Sequence, residues 1–341
     1  IWFKGTVEGT GAFGQDLTLT AGTGNVYFDG AVGGTTALGA LTVASAQNVS
    51  KQAGTATAAL TVKSASITDS GLAKLGDITS TGAGDAAGGS VTVTSTGTLA
   101  VGNITAKGGV AVTGAGQAGG AVSLTGSTIT LGGSIDTSGS DAKATVATQA
   151  GGTGGAVTLN SATVLGAAVG ITSQGGRSTD GTGALTTTRV AGGDIWFKGT
   201  VEGTGAFGQD LTLTAGSGNI QFDQALGQST ALGSTVVGSA NNLSFAGSVS
   251  AKSITQSAGT GTTSIGGAVS VTAAPGISLL TKAINISGSL SASGAADIDL
   301  SATQAGGGSI AINANLSTAV SRSIYLTSVT GITEAAAGTP K

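Results

Sequence analysis

Residues 119–139 read GGAVSLTGSTITLGGSIDTSG, and this stretch decides the fold class. It holds three short runs, AVSLTG, TITLGG and SIDTSG, in which apolar and polar residues alternate and between which glycines recur. Alternation with a period of two indicates β-strands that bury one face and expose the other. A single strand of this kind cannot bury its apolar face alone. We therefore expect the chain to wind into coils that stack on one another and share a continuous core.

The Gly-Gly opening of this stretch recurs along the chain, each time followed by alternating apolar residues. The pairs begin at Gly88, Gly119, Gly154, Gly192, Gly266 and Gly307. The positions of successive pairs differ by 31, 35, 38, 74 and 41, and the 74 is close to two ordinary intervals. Solenoid coils commonly hold about 20 to 35 residues, so these intervals predict a solenoid of irregular coils. The glycines are expected to supply the positive-φ corners that tight winding needs.

A second, longer repeat lies over the first. Residues 1–30 and 195–224 match at 26 of 30 positions, and a weaker match continues between 35–50 and 229–244. We interpret this as a recent duplication. The predicted organisation is one continuous β-solenoid segment over 1–341, with a first long repeat at 1–194 and a partial second one at 195–341.

The alternation also predicts which side chains face the interior. In the run DLTLT, Leu17 and Leu19 are expected to point inward, and Thr18 and Thr20 outward. In the opening run IWFKGTV, the expected inward residues are Ile1, Phe3 and Val7, and the expected outward ones are Trp2 and Lys4.

Composition supports an all-β chain. Glycine supplies 63 residues, but only two are proline, 39% are apolar and the net charge is −3, which argues against a disordered chain. Only 9% of residues are charged, so the side chains that favour surface helices are scarce. Aromatic residues make up 3%, which suits a narrow interior filled by Val, Ile, Leu and Ala. The predicted fold is a right-handed parallel β-helix.

The residue types present exclude several function classes. The chain has no histidine and no cysteine, which removes the usual general base, the usual nucleophile pairs and nearly all zinc and iron sites. We therefore predict no catalytic residue, no metal site and no cofactor. The 13 basic residues are scattered, so nucleic acid is not an expected partner. No apolar window is long enough for a membrane helix, and we expect the 341 residues to be an internal piece of a longer precursor.

Carboxylate-only chemistry is the alternative that the composition leaves open. Three acid pairs lie close in sequence: Asp77 with Asp85, Asp136 with Asp141, and Asp297 with Asp299. Paired carboxylates serve polysaccharide-cleaving enzymes, some of which are β-helices. In the run ADIDL, however, Asp297 and Asp299 are expected to share the solvent face while Ile298 points inward. Solvated surface carboxylates are the simpler interpretation.

The strongest candidates for contact with a partner are two outward tryptophans and their neighbouring charges. Trp2 and Lys4, followed by Glu8, are repeated as Trp196 and Lys198, followed by Glu202. An exposed tryptophan beside a charge can stack on a sugar or anchor a protein partner. The alternative is that these rings pack locally and that the duplication repeats them without a role.

Phrases such as LTLTAGTGNVYFDGAVGGTTALGALTV at 17–43 and ITLGGSIDTSG at 129–139 resemble the filamentous-haemagglutinin type of giant bacterial exoprotein. The resemblance implies export by two-partner secretion or autotransport, an extracellular or cell-surface location, and adhesion to other cells, matrix or glycans. It implies membrane contact only through other parts of the precursor. Some relatives carry sugars on Asn-x-Ser/Thr triplets, which occur here at Asn48, Asn103, Asn242, Asn285 and Asn315. A further alternative is self-assembly, with copies of the chain pairing through open coil ends and flat faces.

Overall fold

A computed structural model describes residues 1–334. The last part of the predicted second long repeat, 335–341, lies outside the described residues. Its regular secondary structure is almost entirely strand, arranged in parallel ladders, and the prediction of an all-β parallel β-helix is confirmed. Its contacts group into two compact units. Unit 1 comprises 1–198 and 215–218, and unit 2 comprises 199–214 and the chain from 219 onward.

Unit 1 contains the first twenty strands. They are β1 Trp2–Phe3, β2 Leu17–Thr20, β3 Val26–Phe28, β4 Leu38–Ser45, β5 Asn48–Ser50, β6 Leu60–Asp69, β7 Leu72–Leu75, β8 Ile78–Thr79, β9 Val91–Ser95, β10 Thr98–Val101, β11 Ile104–Thr105, β12 Val122–Thr125, β13 Thr128–Leu131, β14 Ile135–Asp136, β15 Val157–Leu159, β16 Thr163–Leu165, β17 Val169–Thr172, β18 Arg177–Thr179, β19 Leu185–Arg189 and β20 Ile195–Phe197.

Unit 2 contains the next sixteen strands and a 3-10 turn at Gln304–Gly306. The strands are β21 Val201–Gly203, β22 Leu211–Thr214, β23 Ile220–Phe222, β24 Leu232–Ser239, β25 Leu243–Phe245, β26 Val249–Gln256, β27 Thr262–Ile265, β28 Val269–Val271, β29 Gly276–Thr281, β30 Ala283–Ile286, β31 Leu290–Ala292, β32 Asp297–Ala302, β33 Ser309–Ile312, β34 Leu316–Thr318, β35 Ile324–Ser328 and β36 Gly331–Glu334.

Three parallel ladders run through unit 1. The first is β1, β3, β5, β7, β10, β13 and β16, and the second is β2, β4, β6, β9, β12, β15 and β20. The third is β8, β11, β14 and β17, which continues from the start of β6.

The second ladder shows what the Gly-Gly pairs mark. Val91 pairs with Val122, Val122 with Val157, and Val157 with Ile195. Each of these four residues lies three positions after the first glycine of a Gly-Gly pair, in the runs GGSV, GGAV, GGAV and GGDI. In this part of unit 1, therefore, the Gly-Gly interval is one coil.

The coils of unit 2 are shorter than these. Along its central ladder Leu211 pairs with Thr235, Thr235 with Ile254, and Ile254 with Ile277, and each step is smaller than that from Val91 to Val122. The pair at Gly266 precedes β28, whereas the pair at Gly307 precedes β33 in a different ladder. In unit 2 the Gly-Gly pairs thus do not mark one point of each coil.

The duplicated runs adopt the same register. Leu17 pairs with Leu41 and Leu211 pairs with Thr235, so this coil has the same length in both copies, and both ladders shift register at the end of β2 and β22. Leu19 is buried and Thr18 and Thr20 are exposed, as predicted. In the second opening run the side chains at the equivalent positions are buried, namely Ile195, Phe197 and Val201.

The first opening run differs at one position. Ile1 is 47% exposed, in contrast to the buried Ile195, while Phe3 and Val7 are half-buried. The physical reason is that β1 pairs with β3 on one side only among the described residues, so no strand covers its other edge. Phe3 keeps an apolar partner because its ring stacks on that of Phe28, with centroids 5.3 Å apart.

The Gly-Gly pairs of unit 1 are needed for close packing rather than for positive-φ corners. None of the four pairs beginning at Gly88, Gly119, Gly154 and Gly192 has a positive φ, which corrects the prediction there, although Gly33 and Gly227 do adopt one. A Cβ on Gly120 would overlap the carbonyl oxygen of Gly89 in the preceding coil. A Cβ on Gly119 would overlap the carbonyl oxygen of Thr137. The pairs therefore admit backbone where side chains would not fit.

These glycines allow two layers of backbone to pack closely on each other. We call this double layer the glycine sandwich, and it comprises residues 81–89, 106–120, 137–155 and 173–193. Backbone hydrogen bonds join its segments within a coil, such as those from Gly120 N to Ala106 O at 2.6 Å and from Gly155 N to Thr137 O at 2.8 Å. At its rim the antiparallel strands β18 and β19 form a hairpin. The loops 145–153 and 175–187 both lie in this sandwich.

Candidate functional site

The first candidate contact surface, here called the Trp2 cluster, consists of Trp2, Lys4, Tyr27 and Asp29. The ring of Trp2 is 47% exposed, and the Lys4 ammonium lies over it at 4.3 Å from the centroid. The indole Nε1 donates a hydrogen bond of 2.7 Å to Asp29 Oδ2. Strand pairing places Tyr27 directly beside Trp2 on the next coil. The cluster thus presents two neighbouring aromatic rings between a cation and an anion.

Asp29 is held in its ionised form. Its pKa lies below the ordinary value because the backbone N–H of Gln52 donates to Oδ1 at 2.8 Å, because the Trp2 indole donates to Oδ2, and because Lys51 and Lys4 are positively charged. The charged carboxylate of Asp29, which accepts two hydrogen bonds, fixes the edge of the Trp2 ring. The ring is therefore presented in one orientation, which lowers the entropy cost of stacking a ligand on it.

The second copy retains part of this arrangement. Lys198 lies over the ring of Trp196 at 4.4 Å, and Trp196 pairs in register with Thr158 of β15. The position equivalent to Tyr27 is Gln221, whose side chain donates to Asp223 Oδ1 at 2.6 Å. All four predicted contact residues, Trp2, Lys4, Trp196 and Lys198, thus form two cation–π pairs, but only the first copy has the adjacent tyrosine.

Glu8 and Glu202, which follow the two tryptophan runs, have a structural role. Glu8 Oε2 accepts hydrogen bonds from the backbone N–H groups of Thr35 and Thr36 at 2.9 and 2.8 Å. These bonds, that of Thr36 foremost, lower the pKa of Glu8. Glu202 accepts from Thr230 N at 2.8 Å in the same way. Each glutamate closes the corner of the following coil.

The three acid pairs are engaged mainly in the same kind of contact between coils. Asp77 accepts from Asn103 N at 2.8 Å, and Asp85 accepts from Val112 N at 2.6 Å. Asp136 pairs with Lys107 at 3.2 Å. Such partners lie one coil away along the chain and connect each turn to the next.

The remaining acids divide between ion pairs and solvent. Asp141 accepts from Arg177 Nη2 at 2.6 Å and from Nε at 2.9 Å, and Asp297 pairs with Arg322 at 3.1 Å. Asp299 is exposed, and Ile298 between the two aspartates is buried as predicted. Partial burial alone would raise the pKa of Asp141, but the hydrogen bonds and charge of Arg177 hold it below the ordinary value. Both aspartates are thus engaged by arginines.

The five glycosylation triplets fall into two classes. Asn48, Asn103 and Asn242 accept backbone N–H groups of the next coil, from Leu72 at 2.8 Å in the first case, so their amides belong to inter-coil ladders. Asn285 and Asn315 are exposed. Only the latter two present amides that are available without disturbing a coil corner.

Among residues 1–334, no group of three or more Asp, Glu, His or Cys side chains is placed to hold a metal ion. Over the same residues, no helix has the length and apolar character to cross a membrane. No family model, no curated protein and no solved structure matches the chain.

Two members of the Trp2 cluster were not predicted from the sequence. Tyr27 and Asp29 lie one coil after Trp2, and only the register of β1 with β3 brings them together. The signal that could have found them is the length of the coil. Leu17 pairs with Leu41 at an offset of 24 residues, and a similar offset of 25 residues places VYFD at 26–29 beside the run that contains Trp2.

Proposed function

We propose that this chain is a segment of a large secreted bacterial surface adhesin or extracellular structural filament. Its work is to span distance and to present a repetitive surface to other cells, matrix or glycans, or to further copies of itself. The carrying observation is the twofold occurrence of an exposed tryptophan capped by a lysine on the outer face of stacked coils.

The arrangement of the polar side chains supports this proposal. Most of the acids considered for catalysis hold neighbouring coils together, which is what an extended scaffold requires and what a reaction centre does not. The aromatic–cation pairs face outward instead, where their rings can stack on sugars or anchor a protein. The resemblance to filamentous-haemagglutinin exoproteins adds the expectation of an extracellular or cell-surface location.

The location is tested by labelling unpermeabilised producing cells with an antibody against the purified chain. A surface signal that is lost on protease treatment is expected. Labelling that appears only after permeabilisation, as for a cytoplasmic protein used as reference, would overturn the proposal.

Adhesion is tested with the purified chain on beads, using a glycan microarray and intact cells of the producing strain as probes. The double variant Trp2→Ala with Trp196→Ala is expected to lose most of the binding. The matched control is Thr18→Ala with Thr212→Ala, which changes two outward, exposed and equally duplicated positions. Equal binding by the two double variants would exclude the tryptophans as the contact. Binding of the beads only to one another would identify further copies of the chain as the partner.

A further inference from the structure

An aromatic ring is held in a costly backbone conformation at Phe13. Its φ is 59°, in the left-handed region that bulky residues rarely adopt. The loop is fixed by bonds from Phe13 N to Ala37 O at 2.8 Å and from Thr10 N to Gln15 Oε1 at 2.7 Å. The second copy repeats the same feature at Phe207, with φ 60°. Strained backbone conformations of this kind cluster at functional sites, so the surface that the Phe13 ring faces is a candidate binding site.

The ring of Phe13 forms one wall of a groove of about 260 Å³. Lys63 of β6 forms a second wall, and the loop 81–87 contributes a third, made mostly of glycine and alanine. The groove lies entirely within unit 1. Ligand pockets for drug-sized molecules span roughly 300–1,000 Å³. This groove therefore fits a body of about one ring.

Among the residues that line the groove, Lys63 alone is charged, and Asp85 on the loop 81–87 instead accepts hydrogen bonds from Val112 N and Thr113 N. Within the described residues the ammonium of Lys63 forms no ion pair and no hydrogen bond, and its side chain is exposed. By contrast, Lys107 and Arg177 of the same unit are paired with aspartates. The groove thus combines an aromatic ring, methyl groups and one unpaired cation in a chain whose net charge is −3.

We propose that this groove binds a small anion with one apolar face, namely a carboxylate carried on a single ring. The ring lies against Phe13 and the alanine methyls, and the carboxylate pairs with the Lys63 ammonium. Both a planar apolar carboxylate and a uronic acid unit of a glycan have this chemistry. A ligand of this size in an open groove is expected to bind with a dissociation constant on the order of 1 mM.

The chain supplies its own control. Leu38 pairs with Val62 and the equivalent Leu232 pairs with Ala251, so Lys252 occupies in unit 2 the position of Lys63. Phe207 and Lys252 thus repeat the aromatic ring and the cation. The third wall is not repeated, because residues 272–275 connect β28 to β29 where residues 80–90 connect β8 to β9. Binding that needs the loop 81–87 should therefore occur at the first copy alone.

The test is a ¹⁵N-NMR titration of the whole chain with phenylacetate and, separately, with glucuronate. Phenylacetamide and glucose serve as neutral counterparts. Saturable shifts are expected in the amides of 81–87 and around Phe13 with at least one carboxylate, and not with its neutral counterpart. Saturation by phenylacetate alone identifies an apolar carboxylate, and saturation by glucuronate alone identifies a uronic acid unit.

Variants locate the interaction. Lys63→Gln keeps an exposed polar chain while removing the charge, and it is expected to weaken binding about tenfold, the loss typical of a charge-assisted bond. Phe13→Ala should weaken it as well, and the spectrum itself reports whether each variant is folded. Lys252→Gln and Phe207→Ala should leave the affinity unchanged. Absence of saturable shifts with both carboxylates, or equal losses in the control variants, would refute the proposal.

Discussion

The glycine sandwich of unit 1 and the coils of unit 2 are stabilised in opposite ways. In unit 2 the coils between Leu211 and Ile277 are short, and stacked apolar side chains fill their interior. In unit 1 the coil from Val157 to Ile195 is much longer, and glycine-rich double-layered backbone takes up the added length. The stability of unit 2 therefore depends on its buried apolar side chains, whereas the sandwich depends on glycines, which have no side chain to keep its layers apart.

Truncation of a core ring in unit 2 should have the largest effect. Phe245 is 1% exposed, and its ring stacks on that of Phe222 with centroids 5.0 Å apart. Phe245→Ala removes this contact and leaves a cavity, which should cost about 3–5 kcal/mol. Hydrogen exchange of the β23, β25 and β27 amides measures the loss locally, as suits a stack in which each coil contacts its neighbours.

The control for this variant is Ser244→Ala on the same strand, whose side chain lies on the half-exposed face. It should change exchange little, by about 0.5 kcal/mol or less. If both variants accelerated exchange equally, the core of unit 2 would not be held by its apolar side chains.

Addition of a single methyl group should damage the sandwich. The Cβ of Gly120→Ala would overlap the Gly89 carbonyl, and forced overpacking of this kind costs about 1–3 kcal/mol. Gly181→Ala is the matched control, because a Cβ at Gly181 meets nothing within 4 Å. Thermal unfolding of the two variants compares them directly. A Gly120→Ala chain as stable as the Gly181→Ala chain would show that the layers can separate without loss.

Acid should loosen the sandwich rim before it affects unit 2, and this is the smallest of the three effects. Partial burial by itself would raise the pKa of Asp141, but the hydrogen bonds and charge of Arg177, together with Arg189, hold it below the ordinary value. A carboxyl whose pKa is lower in the folded state stabilises the fold above its unfolded pKa of about 3.9, and that stability is lost as the pH falls through the folded value.

Hydrogen exchange of the β18–β19 hairpin should therefore quicken as the pH falls through this range, after correction for intrinsic exchange rates. The amides of β25 in unit 2 serve as the internal reference. In Asp141→Asn the hairpin should exchange faster at neutral pH and lose most of this acid dependence. An unchanged hairpin at acidic pH would mean that the ion pair does not hold the rim.

The strands could be predicted because their signal is local. The alternation in AVSLTG places Val122 and Leu124 inward, and both are buried. The long coils of unit 1 could be predicted from their Gly-Gly spacing, since each pair precedes the strand of the second ladder in successive coils. In unit 2 the steps vary from coil to coil, and the pairs at Gly266 and Gly307 open strands of different ladders, so the same signal failed there.

The candidate sites were less predictable because their members meet only across coils. Trp2 and Lys4 are near neighbours in sequence, so the sequence alone indicated that they lie together. The bond from Trp2 to Asp29 depends on the length of one particular coil. The groove depends on the left-handed backbone of Phe13, which no residue preference indicates. The glycine pairs were misread as corners because composition cannot tell a turn from a close contact.

The matched register of the two long repeats has a genetic consequence. β2 and β22 each advance to the next coil by the same length and with the same shift of register. A crossover between the gene segments that encode the two near-identical runs therefore removes or adds 194 codons in frame. The recombined chain passes from one copy to the other at a point where both wind alike. The length of such a protein can therefore change by one long repeat of 194 residues.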